Sequence, residues 1–233
     1  MKTGWLGLVL AAALCGSTAM ATTNINLRVQ GPNGEPEVRV APGGIVSYRV
    51  VAELSDNLNE GLALIGFSLD YTGGAIDQQG NIPNSAPMSN FVIPDGITNP
   101  AGYGGTLIGG DLIQCGGAQN TIKNVVGNAP FPIGTVITGI ASPGAPAVVL
   151  TGSFTKPAGA GDFQLLAFDV FANVITDGET GEVFFATEAA GVGTVTNLTV
   201  SGDVPINFVS SIPAFTARGN NTVPPMGTLW RSA

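Results

Sequence analysis

VRVAPGGIVSYRVVAELSDNLNEGLALIGFSLDY, residues 38–71, is the stretch whose reading decides the fold class. After the turn Pro42-Gly43-Gly44, the side chains of Val46, Tyr48, Val50, Ala52 and Leu54 fall on one face of a strand. Ser47, Arg49, Val51 and Glu53 fall on the other. A polar loop follows, and then Ile65, Phe67, Leu69 and Tyr71 share one face while Ser68 and Asp70 point away. Alternation with a period of two belongs to a sheet that lays one face on a core and the other in water.

Working outward, similar runs recur at Asn24–Gln30, Ile45–Leu54, Leu62–Tyr71, Thr106–Cys115, Thr135–Ile140, Val148–Phe154, Phe163–Val174, Val183–Thr187, Thr194–Val200 and Ile206–Ile212. Gly31-Pro32-Asn33-Gly34, Thr72-Gly73-Gly74, Ser142-Pro143-Gly144 and Asp177-Gly178 punctuate them. Many short strands separated by glycine and proline turns imply an all-β, antiparallel β-sandwich of jelly-roll type. Ile76–Asn128 is the least regular region and is read as a long ordered insert able to hold a short helical turn. Long excursions in compact domains are where function tends to sit.

Lys2, the apolar run Trp5–Leu14 and the small-residue stretch ending Ala19-Met20-Ala21 read as a secretory signal peptide over residues 1–21. The apolar run is too short to span a bilayer, so the exported form is expected to have no membrane span. The sandwich is expected over residues 22–214, with a flexible tail at 215–233. The net charge is −8 with no histidine, and cleavage would remove Lys2 but no acid. Such a chain cannot neutralise phosphates in series, so nucleic acid is excluded as a partner. Of the two cysteines only Cys115 follows the signal. It cannot form an internal disulfide and is read as a small buried hydrophobe.

The opening stretch resembles the start of cohesin-like domains, bacterial extracellular β-sandwiches. Val40-Ala41-Pro42-Gly43-Gly44-Ile45-Val46 matches their turn feeding an alternating strand. Gly66-Phe67-Ser68-Leu69-Asp70-Tyr71 matches the strand ending in an acidic-aromatic pair. Gly161–Val170 is similar to their late core strand, with Gly178 and Val183–Phe185 following. The insert Ile76–Asn128 departs from the family pattern. The resemblance implies a jelly-roll sandwich in an extracellular or cell-surface assembly, with a dockerin-like protein as partner. The segment Val223-Pro224-Pro225-Met226-Gly227-Thr228-Leu229-Trp230 is similar to the Pro-containing start of bacterial C-terminal sorting signals, without the anchor that follows there.

The residue inventory limits the chemistry. Without histidine there is no Ser-His-Asp or Cys-His catalysis and no histidine-ligated zinc. Two carboxylates suffice for glycoside hydrolysis, and Asp70, Asp111, Asp169 and Glu188 are available, but no aromatic floor accompanies them. The chain is therefore read as non-enzymatic. For a non-catalytic carbohydrate-binding module, Tyr103 in Gly102-Tyr103-Gly104-Gly105 is the one aromatic that reads as presented to a ligand. No cofactor is required, but calcium needs only oxygen ligands. Two loops concentrate them: Asp56, Asn57, Asn59 and Glu60 in one, Asp177, Glu179 and Glu182 in the other. Neither has EF-hand spacing, and Asn, Asp and Gly also serve ordinary turns.

The expected function is a secreted β-sandwich mediating protein–protein interaction. A carbohydrate-binding module for extracellular polysaccharide is the alternative. A third reading is a self-associating surface subunit that completes a neighbour's sheet.

Overall fold

The structure, a computed structural model, describes residues 22–71, 74–84, 88–92, 102–119, 137–159, 161–177 and 186–202. Among them are eleven strands: β1 (Asn24–Gln30), β2 (Glu37–Arg39), β3 (Ile45–Leu54), β4 (Leu62–Tyr71), β5 (Phe91–Val92), β6 (Thr106–Ile108), β7 (Asp111–Gln119), β8 (Ala147–Thr155), β9 (Phe163–Asp177), β10 (Ala186–Thr196) and β11 (Leu198–Ser201). Two single 3₁₀ turns, Met88–Asn90 and Gly102–Gly104, lie inside the insert. No helix among the described residues is long and apolar enough to cross a membrane.

The hydrogen-bonded order is β5-β7-β4-β9-β10-β1-β3-β8, with β6 on β7 and the pair β11–β2 on β9. One continuous sheet folds over on itself because β10 changes partners. Its Ala186–Ala190 half pairs antiparallel with β9, and its Gly191–Thr196 half runs parallel with β1. Strands that switch layers in this way form the corners of sandwiches. Small residues permit the switch: the side chains of Asn24 and Asn26 occupy the space that a Cβ on Gly191 or Gly193 would take. The β11–β2 pairing is also parallel, and the remaining ladders are antiparallel.

The core lies between the layers. Ile25, Leu27, Val46, Val50, Leu54, Leu150 and Phe154 come from the β1-β3-β8 layer. Ile65, Phe67, Leu69, Leu112, Leu165 and Val174 meet them from the β7-β4-β9 layer. Burying each large apolar side chain contributes about 1.5–3 kcal/mol. Across the gap Tyr71 packs on Phe154 with ring centroids 5.2 Å apart, and beside it on Phe163 at 4.0 Å. One cation is enclosed there too. Lys156 is 0% exposed, and its ammonium donates to the carbonyls of Val40 (3.0 Å) and Ser201 (3.1 Å), 5.9 Å from the Phe163 ring centre.

The expected all-β sandwich is the fold observed, and β1, β3 and β4 begin and end where the alternation does. The core face assigned to β3 is buried throughout. Five expectations need correction. The run at Val183–Thr187 does not end there: over the described residues β10 continues unbroken from Ala186 to Thr196. Thr106–Cys115 is a hairpin, broken where Gly109 and Gly110 both take positive φ, as a tight turn between twisted strands requires. Thr135–Ile140 is irregular over its described part, because its backbone is bonded elsewhere. Ile137 exchanges bonds with the Gln119 amide, Gly139 N–H donates to Glu60, and Ile140 accepts from Leu62. Thr194–Val200 is divided at Asn197, whose side chain accepts from Ala167 N–H. Ser68 points away from the core but is only 2% exposed, for reasons given below. The signal peptide, the strand at 206–212 and the tail at 215–233 lie outside the described residues.

Candidate functional site

The outward face of β7-β4-β9 departs most from ordinary sheet chemistry. The register puts Leu64, Gly66, Ser68 and Asp70 of β4 on this face. On β9 they meet Asn173, Phe171, Phe168 and Leu166. On β7, Gly116 lies opposite Gly66, and Asp111 falls opposite Asp70 one step beyond the Leu69–Leu112 pair. Phe171 is 56% exposed, and its ring occupies the space a side chain on Gly66 would need. An aromatic laid over a cross-strand glycine protects the backbone beneath it while keeping its own outer surface open.

Both neighbours of β4 are irregular at one level. The β7 register shifts opposite Phe67–Leu69, where Gln114 has φ 58°. The β9 register shifts opposite Gly66–Ser68, where Asp169 has φ 49°. Bulges bend a strand and re-aim its side chains, and left-handed non-glycine residues concentrate at functional sites. Here Gln114 and Asp169 are both exposed, one on each side of the central strand. Between them Ser68 is enclosed, with its hydroxyl accepting from Gln114 N–H at 3.2 Å. This crowding explains why an outward serine is dry.

The electrostatics are one-sided. Asp70, Asp111 and Asp169 lie on these strands, and β4, β5, β6, β7 and β9 contain no lysine or arginine. The Asp111 carboxyl is held above the usual carboxylate range, first by burial and then by the charge and hydrogen bond of Asp70. The two are in hydrogen-bond contact, closer than the two carboxyls of a glycosidase, which stand about 5 Å or more apart.

The structure corrects the reading of Tyr103. It is 5% exposed, and its hydroxyl donates to Val149 O at 2.7 Å, so the ring is a core element and not a stacking platform. The flanking glycines serve close packing rather than display. A Cβ on Gly104 would overlap Gly80 O, and Gly105, at φ 86°, lies against Leu112 and Cys115. A groove of about 380 Å³ on the outer side of β3–β8, walled by Pro32 and Pro83, is the other concavity of note. The Tyr48 ring beneath it is turned inward onto Gly152, so it offers no sugar-stacking surface either.

The first calcium-candidate loop holds itself together. Asp56 accepts from Leu58 N–H (3.0 Å), Ser55 Oγ (2.8 Å) and Thr23 Oγ1 (2.9 Å). These donors hold its carboxyl below the usual aspartate range. Asn59 reaches Thr23 Oγ1 and accepts from Gly61 N–H, and Asn57 is exposed. Glu60 has one buried carboxylate oxygen without a hydrogen-bond partner. The backbone bonds Glu60 N–H to Ile175 O and Ile175 N–H to Gly61 O bring this loop beside the end of β9, where Asp177 lies. The Asp177 side chain, Glu179 and Glu182 are outside the described residues. Sequence reasoning missed Phe171 and Gln114 and saw Asp169 only as an available carboxylate; plain alternation from Phe163 and Leu165 puts Phe171 on the core side, and the bulge at Asp169 turns it outward.

Several solved structures are similar to this chain. The likeness is to cohesins. The seventh ScaB type I cohesin from Pseudobacteroides cellulosolvens is similar at a TM-score of 0.46 and 12% identity, over 77% of this chain and 92% of that one. The sixth cohesin of scaffoldin B from Acetivibrio cellulolyticus, solved in complex with a Cel5 dockerin, follows at 0.42 and 15%, over 77% and 99%. A type II cohesin from the cellulosome of Acetivibrio cellulolyticus is similar at 0.38 and 10%, over 76% and 95%. No family model and no curated protein matches the chain. The sandwich stands on its own strands and core, and these similarities transfer no residue role.

Proposed function

We propose that the chain is a non-enzymatic interaction module that binds an extracellular protein through the outward face of β7-β4-β9. The observation that carries this reading is Phe171, exposed across Gly66 between two bulges. An open aromatic on a strand framework, sharing its face with half-buried Ile113, Leu166 and Phe168, is the composition of an interface anchor. The carboxylates around it, with no cation on these strands, favour a partner bearing basic residues beside an apolar centre. Export through the signal at residues 1–21 and residence outside the cell belong to the same reading. Calcium at the Glu60 end of this loop is a further proposal, supported by the buried, unpartnered Glu60 oxygen beside the end of β9; the Asp56 carboxylate is already held by protein donors.

The first probe is a dockerin module, chosen because a cohesin of similar shape holds one. Calorimetry should show binding that Phe171→Ser weakens at least tenfold and Asp169→Lys weakens by steering, with unfolding curves close to wild type. Equal affinity in all three proteins would remove this face from the reading. Retention on insoluble polysaccharide, lost with Phe171→Ser, would transfer the same face to carbohydrate binding. Light scattering of the exported form tests the self-associating alternative.

A further inference from the structure

Asp70 and Asp111 present like charges directly opposite each other on antiparallel strands. The pairing Leu69–Leu112 sets the register, and Asp111 also pairs with Ile108 of β6. Asp111 is therefore the residue through which the β6–β7 hairpin tip meets β4. Directly opposed like charges push strands apart, and two carboxyl oxygens form a hydrogen bond only if one carries a proton. Among the described residues the neighbouring elements supply no countercharge. On β9 the partner of Asp70 is Leu166, with Asp169 further along the strand, and β6 has no titratable group. From the following loop, Asp77 accepts from Thr155 N–H, and Lys156 is committed to the Val40 and Ser201 carbonyls.

The tip is a tight two-glycine turn. Gly109 and Gly110 form the turn at positive φ, and Ile108 is 58% exposed. Behind the turn, Ile76 N–H donates to Gly110 O at 2.7 Å, which ties the tip to the segment after β4.

We propose that Asp70 and Asp111 share one proton as a clasp, closing the β6–β7 hairpin tip onto β4 in acid and loosening it as the pH rises. The device does not depend on which partner the outward face binds. A protein outside the cell meets the pH of its surroundings, and a shared proton is a direct way to register it.

Carboxyl ¹³C titration and amide exchange of the full chain, read together, test the clasp. Asp111 is expected to titrate above the ordinary aspartate range and to return to it in Asp70→Asn. Exchange at Leu107–Leu112, corrected for intrinsic rate, should slow at least threefold as pH falls through that midpoint. In Asp111→Asn it should be independent of pH. An ordinary, independent midpoint for Asp111 that Asp70→Asn leaves unmoved would overturn the clasp. So would saturable carboxyl shifts with submillimolar calcium, which would make the pair a cation site.

Discussion

The ring of Phe171 occupies, from the neighbouring strand, the volume that residue 66 leaves empty by being glycine. Each residue therefore constrains the other. Gly66 does not have a positive φ, so its backbone accepts any side chain and only the ring forbids one. Gly66→Ala should cost up to about 1 kcal/mol by displacing the exposed ring. In a Phe171→Ala background the same change should be neutral or slightly stabilising, because alanine gives up less freedom than glycine on folding. Urea unfolding of the four proteins in a double-mutant cycle measures the coupling. Additive losses would mean that the ring does not hold this position in solution.

Lys156 closes the far end of the sandwich. Its ammonium joins the carbonyl after β2 to the carbonyl ending β11, so three chain segments converge on one buried charge. Lys156→Met keeps much of the apolar stem but leaves Val40 O and Ser201 O without this donor. Hydrogen bonds to charged groups outweigh neutral ones, so the expected loss is roughly 2–3 kcal/mol, offset in part because no charge need be desolvated. The urea midpoint should fall, and amide exchange should accelerate at Val40 and β11 before β3 or β4. A variant as stable as wild type would show that the buried charge costs as much as its bonds return.

The sequence shows best what a single strand can show. In β3 and β4 one face is apolar at every second position, and a one-residue slip would expose the whole set, so the boundaries were readable. β2 and β5 were not, because two or three residues carry no period. Tyr103 misled because glycines beside an aromatic suggest display, whereas here they allow the backbone to approach Gly80 and Leu112. The candidate face was hidden for a different reason. Its bulges fall at Gln114 and Asp169; positive φ is uncommon for any non-glycine residue, and although aspartate adopts it more readily than most, nothing local marks these two. Asp70 and Asp111 were visible as carboxylates, but only the β4–β7 register makes them neighbours.

Cys115 offers a direct test of the core. Its thiol is buried between Leu112 and Gly104, with sulfur 3.8 Å and 3.9 Å from their carbonyls, and burial pushes it up to about 12. The thiolate is the reactive form, so the folded chain should resist a disulfide reagent at pH 8 for hours. Labelling should begin only across the urea transition, with the same midpoint as the loss of strand signal. Fast labelling of native protein would place the thiol at the surface and unseat the packing of β7 on β4.

The Asp56 carboxylate distinguishes a turn from a metal site. Its bonds from Leu58 N–H, Ser55 and Thr23 hold the folded pKa below the unfolded value near 3.9. A depressed carboxylate stabilises fully above its unfolded pKa, and that contribution disappears as pH falls through the folded one. Asp56→Asn should therefore cost about 1 kcal/mol at pH 7, discounted for partial solvent screening. It should cost less as pH falls from the unfolded value through the lower folded one, below which the wild-type acid is neutralised too. Because the bonded donors are protein groups, the loss at pH 7 should be the same with millimolar calcium or with chelator. A loss seen only with calcium present would assign Asp56 to the ion, and thermal unfolding of the two proteins in both buffers separates the cases.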